Sequence, residues 1–226
     1  MDYVKDFRKF ALANGVNRGK LDSFLFNLEN KSNVESVFPG VIEERTSSMR
    51  MVEMNVFSRL MQDRVIYFSG EVNQDSCDTV IAQLLYLANV NDTKINMYIN
   101  SGGGSVVDGL GLVDTMDFLK VPIATTCIGM CASMGAVLLS NGTKGQRSIL
   151  KHGRVMIHSV TSGFRGHTAD ARIQMEQTER YQKDLYNILA KNTGKTYEEI
   201  EILCNRDNWF IGEEAIELGI VDKLIS

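Results

Sequence analysis

The most constraining feature of this sequence is the alternation, between residues 65 and 158, of short β-rich runs with segments of helical spacing. The predicted strands are residues 65–69, 95–99, 123–128 and 154–158, and the predicted helices between them are 75–88, 106–119 and 134–139. Strands that alternate with helices form βαβ units, in which the strands run parallel and the helices cover the sheet. The chain is therefore predicted to be an α/β protein with a mainly parallel sheet.

The composition is that of an ordinary globular protein. The chain has 226 residues, of which 44% are hydrophobic and 23% charged, and this excludes a chain that is disordered throughout. The 24 basic and 28 acidic residues give a net charge of −4, so nucleic acid is not an expected partner. Four cysteines, three histidines and the lack of a Cys-x-x-Cys pair argue against a structural zinc site, and we expect no cofactor.

Two segments bear on the cellular compartment. The first ten residues mix charges and lack the apolar core of a signal peptide. Residues 121–143 carry no charge and are long enough to span a bilayer. They also contain Pro122 and several glycines, so a buried strand followed by a buried helix fits them better. The sequence therefore predicts a cytoplasmic protein without a membrane anchor.

The N-terminal part differs from the rest of the chain. Residues 1–35 are predicted to be an extension, with a helix over 2–14 and a short apolar stretch over 21–28. Three interpretations of this extension are open: a cleaved prosegment, an added docking element and an upstream start codon. The polar residues 41–52 predict a loop.

The C-terminal part contains a long helical pattern. It covers residues 167–191, ends at Gly194, and would be about 40 Å long at ~1.5 Å per residue. Such a helix either lies across the domain or projects towards a partner subunit, and the pattern leaves both open. Residues 196–199 have the capping-box sequence that opens a further helix.

The first segment that could carry chemistry is the glycine-rich run over residues 100–105, after a predicted strand and before a predicted helix. Successive glycines let the backbone turn sharply and present its N–H groups to an anion or an oxyanion. The run has neither a Walker A lysine nor a dinucleotide fingerprint, which disfavours a nucleotide site. A plain glycine turn remains the alternative.

The second such segment covers residues 129–135 and also joins a strand to a helix. Ser133 at the helix start is either an N-cap or a nucleophile whose developing charge the helix end would stabilise. Cys131 is an alternative nucleophile or a small buried side chain. Because the carboxyl ends of parallel strands share one edge of a sheet, both glycine-flanked segments are expected to meet there.

A serine nucleophile requires a general base, and histidine is the usual one. His158 ends a predicted strand and would lie at the same edge, whereas His152 and His167 lie in polar stretches. An acid would orient the histidine. Asp207 precedes an apolar run but on spacing alone is one acid among many.

From about Val37 to the C-terminus, the sequence resembles the proteolytic subunits of the Clp protease family. The matching segments are residues 58–64, 98–101, 127–135, 154–158, 206–208 and 213–215. The resemblance implies Ser133 as nucleophile, His158 as general base and Asp207 as its orienting acid. It also implies that the backbone N–H groups of Gly104 and Met134 form the oxyanion hole.

The resemblance further implies a crotonase-like repeated ββα spiral with a protruding handle helix that starts near His167. It implies heptameric rings stacked as a tetradecamer, with residues 41–52 as the entry loop. A Clp-type AAA+ unfoldase ATPase would dock at a region that includes Tyr98 and feed in unfolded polypeptide, and the subunit would need no metal or nucleotide. The sequence departs from the family at Gly102, which replaces a usual proline, and at Asn205, which replaces an acid of the ring-to-ring contact.

Residues 36–226 are accordingly predicted to be a Clp-type serine protease domain. The predicted function is that of a serine endopeptidase subunit in a ring-shaped, ATPase-dependent protease that degrades unfolded proteins to short peptides. The alternatives are a prophage-type head-maturation serine protease and a ring subunit that modulates an active paralogue. A crotonase-like acyl-CoA enzyme is a more distant alternative, since it needs an oxyanion hole but no such triad.

Overall fold

The computed structural model describes residues 41–45, 51–163 and 167–225, with side chains from residue 55 onwards. The predicted helix over 2–14 and the apolar stretch over 21–28 lie outside these residues. The chain divides into two compact units at Val56, and the second unit covers Phe57–Ser226.

The first unit contains two paired strands that overlap the segment predicted to be a loop, residues 41–52. Strand β1 (Val41–Arg45) pairs antiparallel with β2 (Met51–Asn55), with Val41 opposite Asn55. The loop prediction is therefore wrong for these two strands. It rested on the polar residues between them and overlooked that apolar and polar residues alternate over 52–55, the period of a strand.

The second unit is built on a seven-stranded sheet. Its strands are β3 (Val65–Val72), β4 (Ile95–Gly104), β5 (Ile123–Ala132), β6 (Ser148–Leu150), β7 (Arg154–Ile157), β8 (Asn208–Ile211) and β9 (Lys223–Ile225). Its helices are α1 (Val56–Gln62), α2 (Gln74–Val90), α3 (Val106–Phe118), α4 (Met134–Ser140), α5 (Thr168–Thr193), α6 (Tyr197–Leu203) and α7 (Gly212–Leu218). All strand pairs of this sheet are parallel except β7 with β8, so the predicted α/β class and mainly parallel sheet are confirmed.

The central strand β5 changes neighbours along its length. Thr126 and Cys127 pair with β6, whereas the last three residues, Met130–Ala132, pair with β7. The end of β5 therefore lies beside β7 rather than β6. This switch brings the residues that follow β5 and β7 to one edge of the sheet.

The glycine-rich run lies in a strand rather than in a turn. Strand β4 continues to Gly104 and remains paired with β3, with Glu71 opposite Gly103 and Val72 opposite Gly104. Gly103 and Gly104 have φ angles of +93° and +150°, which let the strand continue in a distorted form. The prediction that the strand ends near residue 99 is wrong, because glycine signals backbone freedom but not how that freedom is used.

The uncharged segment over residues 121–143 forms strand β5 and helix α4, as predicted. Every residue of α4 is buried, and so are most residues of β5. In the described ranges, no helix is long and apolar enough to cross a membrane. The segment is hydrophobic because its strand is central in the sheet and is buried on both faces.

Helix α5 is the long helix predicted from the sequence. Its first half is largely exposed, including the apolar Ile173 and Met175, and its buried residues Leu185, Tyr186 and Leu189 lie in the second half. It ends at Gly194 in the left-handed conformation, as predicted. The predicted capping box is also present, because Thr196 and Glu199 bond reciprocally to each other's backbone N–H.

The buried ion pair of Arg147 with Asp222 also contacts the C-terminal ends of helices α4 and α5. Arg147, 3% exposed, contacts Asp222 at 2.6 Å and donates to the carbonyls of Ser140 in α4 and Asn192 in α5. Burial by itself raises the pKa of Asp222, but the hydrogen bonds and charge of Arg147 outweigh burial and hold that pKa below its ordinary value.

Candidate active site

Ser133 lies at the junction between β5 and α4, in a conformation that is rare for a residue with a side chain. Its φ and ψ are +54° and −123°, and its hydroxyl makes no capping hydrogen bond to α4. Its backbone N–H donates to the carbonyl of Met156 in β7 at 2.8 Å. Ser133 is thus held as a sharp strand-to-helix elbow that presents its Oγ away from the helix backbone.

The two glycine-flanked segments pack against each other, as predicted. A Cβ on Gly103 would lie 2.7 Å from the Cβ of Ser133 and 3.0 Å from the backbone N of Met134. A Cβ on Gly135 would lie 2.9 Å from the carbonyl oxygen of Ser101. Glycine at both positions allows the end of β4 to approach the serine elbow within backbone contact distance.

His158 directly follows β7 and faces Ser133. Its Nε2 lies 2.8 Å from the Ser133 Oγ, which is hydrogen-bonding distance. Since β7 pairs with the last residues of β5, the histidine and the serine leave the sheet from adjacent strands. The predicted strand and the position of His158 at its end are as the sequence indicated.

Asp207 lies between α6 and β8, on the other side of the His158 ring. Its Oδ1 is 3.6 Å from Nδ1 of His158, longer than a hydrogen bond, and the Asp207 side chain is 66% exposed. Strand β8 pairs antiparallel with β7, with Asn208 opposite Ile157, and this pairing brings Asp207 beside His158. The three predicted residues therefore lie in one row, with the serine–histidine contact tighter than the histidine–aspartate contact.

Gly104 and Met134, whose backbone N–H groups are predicted to form the oxyanion hole, line the cleft that contains Ser133. Met134 is the first residue of α4, and the first N–H groups of a helix have no partner within that helix. Gly104 lines the same cleft as Ser133, Met134 and His158. The backbone of Gly104 packs so closely on the Val72 backbone that a Cβ there would overlap the Val72 carbonyl.

Ser133 and His158 line a cleft that opens to solvent. Its wall consists mainly of apolar side chains. These are Val106, Val137, Ile157, Val160, Leu185 and Leu189. The cleft can hold an apolar side chain of a ligand next to the serine hydroxyl.

Cys131, the alternative nucleophile, points away from the cleft. It is fully buried, and its thiol donates to the carbonyl of Ile99 at 3.5 Å. Burial raises the pKa of this thiol well above its ordinary value, which keeps it in the unreactive protonated form. The structure therefore disfavours Cys131 as a nucleophile.

The other polar candidates lie apart from this row. His152 and His167 are exposed and do not line the cleft. Within the described parts of the chain, His, Cys, Asp and Glu side chains form no group that could hold a metal ion.

Sequence reasoning missed two residues that shape the site. Met156 supplies the carbonyl that holds the Ser133 N–H, and Ser101 has a hydroxyl that bonds inside the β4 bulge. Neither residue type carries a chemical signal for such a role. Two signs pointed to Ser101: its position before three glycines, and its place in the matching segment 98–101.

Comparison with known proteins identifies the family of this chain. The family model described as Clp protease matches residues 48–226. This chain belongs to the Clp protease family. Members of the Clp protease family are serine-type endopeptidases, so the predicted resemblance and enzyme class are both confirmed.

Curated relatives match over nearly the whole chain. The ATP-dependent Clp protease proteolytic subunit of Bacteroides fragilis (strain YCH46) is 40% identical over 98% of this chain and 99% of its own length. The subunit of the same name from Porphyromonas gingivalis (strain ATCC BAA-308 / W83) is 39% identical over 98% of both chains. The proteolytic subunit 1 of Salinibacter ruber is 41% identical over 83% of this chain. The two longest of these matches extend well into residues 1–35.

Proposed function

We propose that this chain is the endopeptidase subunit of an ATPase-dependent Clp protease, with Ser133, His158 and Asp207 as its catalytic triad. The observation that carries the proposal is the 2.8 Å contact between His158 Nε2 and Ser133 Oγ at the mouth of an apolar cleft. In this arrangement a base can take the serine proton while the serine attacks a carbonyl carbon.

The reaction follows the geometry of the row. Ser133 Oγ attacks the peptide carbonyl while His158 Nε2 takes its proton, and the same nitrogen then protonates the leaving amine. Asp207 faces Nδ1 at 3.6 Å and favours the tautomer in which that nitrogen carries the proton. Such contacts often tighten when substrate binds, so the longer distance is compatible with an orienting role. Water then releases the acyl group by the reverse proton transfers.

The backbone N–H groups of Gly104 and Met134 are proposed to stabilise the oxyanion. They belong to the two segments that flank the serine elbow and line the same cleft. A pair of fixed N–H donors needs no reorganisation as charge develops on the carbonyl oxygen. The cleft wall favours an apolar substrate side chain next to the scissile bond, such as that of leucine or methionine.

Self-association into heptameric rings that stack as a tetradecamer is part of the proposal. The subunit exposes large apolar side chains on several helices, among them Tyr86 and Val90 on α2 and Phe118 on α3. On α5, Ile173 and Met175 are exposed on opposite faces of the helix. Exposed apolar residues on so many surfaces favour burial by neighbouring copies, with α5 as the handle between rings.

The proposed partner is a Clp-type AAA+ unfoldase ATPase. The relatives are named proteolytic subunits of an ATP-dependent Clp protease, which supports an ATPase as partner. Tyr98 and Tyr67 are register partners on β4 and β3, and Tyr67 stacks on Phe57 with ring centroids 6.5 Å apart. This aromatic surface suits an apolar loop of the ATPase. Replacement of Tyr98 by alanine should reduce ATPase-driven protein degradation and leave the cleavage of short peptides unchanged.

Residues 36–226 are proposed as the protease domain, and residues 1–35 as an extension of it. A cytoplasmic location is also proposed. It is supported by the four cysteines, which are all free and buried, as is usual for proteins of reducing compartments.

The decisive experiment is the replacement of Ser133 by alanine in the full chain. The variant should lose fluorophosphonate labelling and cleavage of fluorogenic peptides by a factor of about 10³ or more, with assembly unchanged by native mass measurement. Full activity of Ser133→Ala would end the proposal. A matched control is Cys131→Ala, which should keep fluorophosphonate labelling and peptide cleavage. Loss of peptide cleavage in Cys131→Ala together with its retention in Ser133→Ala would make the cysteine the nucleophile.

The alternatives make different predictions for the same protein. A head-maturation protease would label at Ser133 but would not be retained by an immobilised Clp ATPase. A modulating ring subunit would assemble but would not label. The names of the curated relatives favour the ATPase-dependent protease over both.

A further inference from the structure

Strands β3 and β4 shift register beside the part of β4 that packs against the serine elbow. Ser69 pairs with Asn100, but the next pair is Glu71 with Gly103, so Gly70 lies opposite two residues of β4. At such a bulge the backbone groups on both strands lack their regular ladder partners. Buried groups of this kind need other partners, since an unpaired one costs free energy.

The side chain of Ser101 supplies partners for both strands at this bulge. Its Oγ donates to the carbonyl of Gly70 at 2.6 Å and accepts the N–H of Gly103 at 3.1 Å. Ser101 is 1% exposed, so water cannot readily replace either bond. One hydroxyl therefore fixes the position of Gly103 relative to β3.

The segment that Ser101 fixes carries one of the proposed oxyanion donors. Gly103 precedes Gly104, and its backbone lies against Ser133 and Met134. The carbonyl of Ser101 also lies against Gly135, in the first turn of α4. The Ser101 residue thus contacts both segments that present an oxyanion donor, although its side chain does not line the cleft.

We infer that Ser101 is a positioning residue that sets the geometry of the oxyanion hole through the Gly103 N–H. The inference rests on the proposed function and refines it. The neighbour Gly102 makes this restraint more important. The Gly102–Gly103 peptide has a glycine on each side, so the backbone itself restricts its orientation little, and the Ser101 hydroxyl fixes it. Loss of the hydroxyl should shift the Gly104 N–H and weaken transition-state binding more than substrate binding.

The test compares Ser101→Ala with Ser148→Ala in the assembled protein. Ser148 is the matched control, because it is 2% exposed and its hydroxyl bonds to Thr126 at 2.8 Å, in the same sheet but away from the cleft. Active sites are counted by fluorophosphonate titration, so that misfolded protein is not included in the enzyme concentration used to calculate kcat. kcat and KM for a fluorogenic peptide and the inhibition constant of a peptide aldehyde are then measured per titrated site.

For Ser101→Ala we expect kcat per site to fall about 10-fold or more with KM nearly unchanged, because oxyanion donors act in the transition state. The aldehyde forms a tetrahedral adduct, so its inhibition constant should rise by the same factor as kcat/KM falls. Ser148→Ala should keep the wild-type values per site. Wild-type kcat and aldehyde inhibition in Ser101→Ala, or an equal loss in Ser148→Ala, would overturn the inference.

A second variant covers the case in which Ser101→Ala yields no titratable sites. Ser101→Cys keeps nearly the same shape but is a weaker donor and acceptor, so kcat per site should fall while KM holds. A wild-type kcat per site in Ser101→Cys would then reject the inference. Failure of the wild-type protein to label or to cleave peptides is a different result and would count against the proposed function itself.

Discussion

The backbone N–H of Ser133 donates to the carbonyl of Met156 at 2.8 Å, and Met156 is two residues before His158. This bond extends the pairing of β5 with β7 to the serine itself. The distance between serine and histidine is therefore set by a pair of adjacent strands rather than by loops. Asp207 joins the same frame through the pairing of β8 with β7.

The strained backbone of Ser133 leads to a prediction about stability. With φ at +54°, a residue that has a Cβ is disfavoured by about 1–3 kcal/mol, whereas glycine is not. We expect Ser133→Gly to have a free energy of unfolding about 1 kcal/mol higher than that of Ser133→Ala, after the greater chain entropy of unfolded glycine is allowed for. Urea denaturation at equal protomer concentration measures this difference, and equal stability of the two inactive variants would contradict the strain.

The close approach of Gly103 to Ser133 predicts that alanine is not tolerated there. Gly103→Ala would place a Cβ 2.7 Å from that of Ser133 at a φ of +93°, so the serine elbow must move. Activity should fall by about 100-fold or more, since oxyanion geometry is lost together with the nucleophile position. The control Gly102→Ala meets only Met130 at 3.5 Å and should remain active, with stability unchanged or raised by about 0.5 kcal/mol. Comparable losses in both variants would show that the packing is not specific to Gly103.

The exposure of Asp207 predicts that its replacement lowers kcat only moderately. The Asp207 side chain is 66% exposed and lies 3.6 Å from the His158 ring, so water can take over part of its role. Asp207→Asn should lower kcat about 10- to 100-fold, less than the loss expected for a buried triad acid. Steady-state peptide cleavage tests this. A loss as large as that of Ser133→Ala would mean that Asp207 is held more tightly in the assembled protein.

The ion pair of Arg147 with Asp222 predicts a pH-dependent contribution to stability. The pKa of Asp222 is lowered in the folded protein, so its stabilising effect is complete above the unfolded value of about 3.9 and is lost as the pH falls through the folded pKa. Asp222→Asn leaves Arg147 buried without its counter-charge and should lower the free energy of unfolding at pH 7 by about 3 kcal/mol. The gap between wild type and variant should narrow as the pH is lowered below about 4.

An exposed pair provides the control for this prediction. Lys191 lies 2.9 Å from Asp117, but both side chains are largely exposed. Lys191→Ala should therefore change the free energy of unfolding by less than about 1 kcal/mol at pH 7. Urea unfolding curves at several pH values measure both variants. A gap for Asp222→Asn that stays constant down to the lowest pH would contradict the linkage to Asp222 ionisation.

The sequence predicted the alternating elements well because each has its own local pattern. The helical spacing, the glycine that ends α5 and the capping box at Thr196 are short-range signals, and all three were confirmed. The pairing of β1 with β2 and the continuation of β4 through its glycines were not predicted. Both depend on hydrogen bonds to a partner strand, which a local pattern does not reveal.

For the candidate site, the sequence by itself determined which residues could do chemistry and that two of them follow strands. Local patterns predict Ser133 and His158 as candidates, because parallel strands bring their carboxyl ends to one edge. Asp207 was chosen through resemblance, since its place beside His158 depends on the antiparallel pairing of β8 with β7. Tertiary structure alone decided the remaining points: the buried thiol of Cys131, the bond from Ser133 to Met156 and the hydroxyl of Ser101 in the bulge. Each of these is a contact between segments about 20 to 30 residues apart in the chain, and the sequence encodes such contacts only through the fold as a whole.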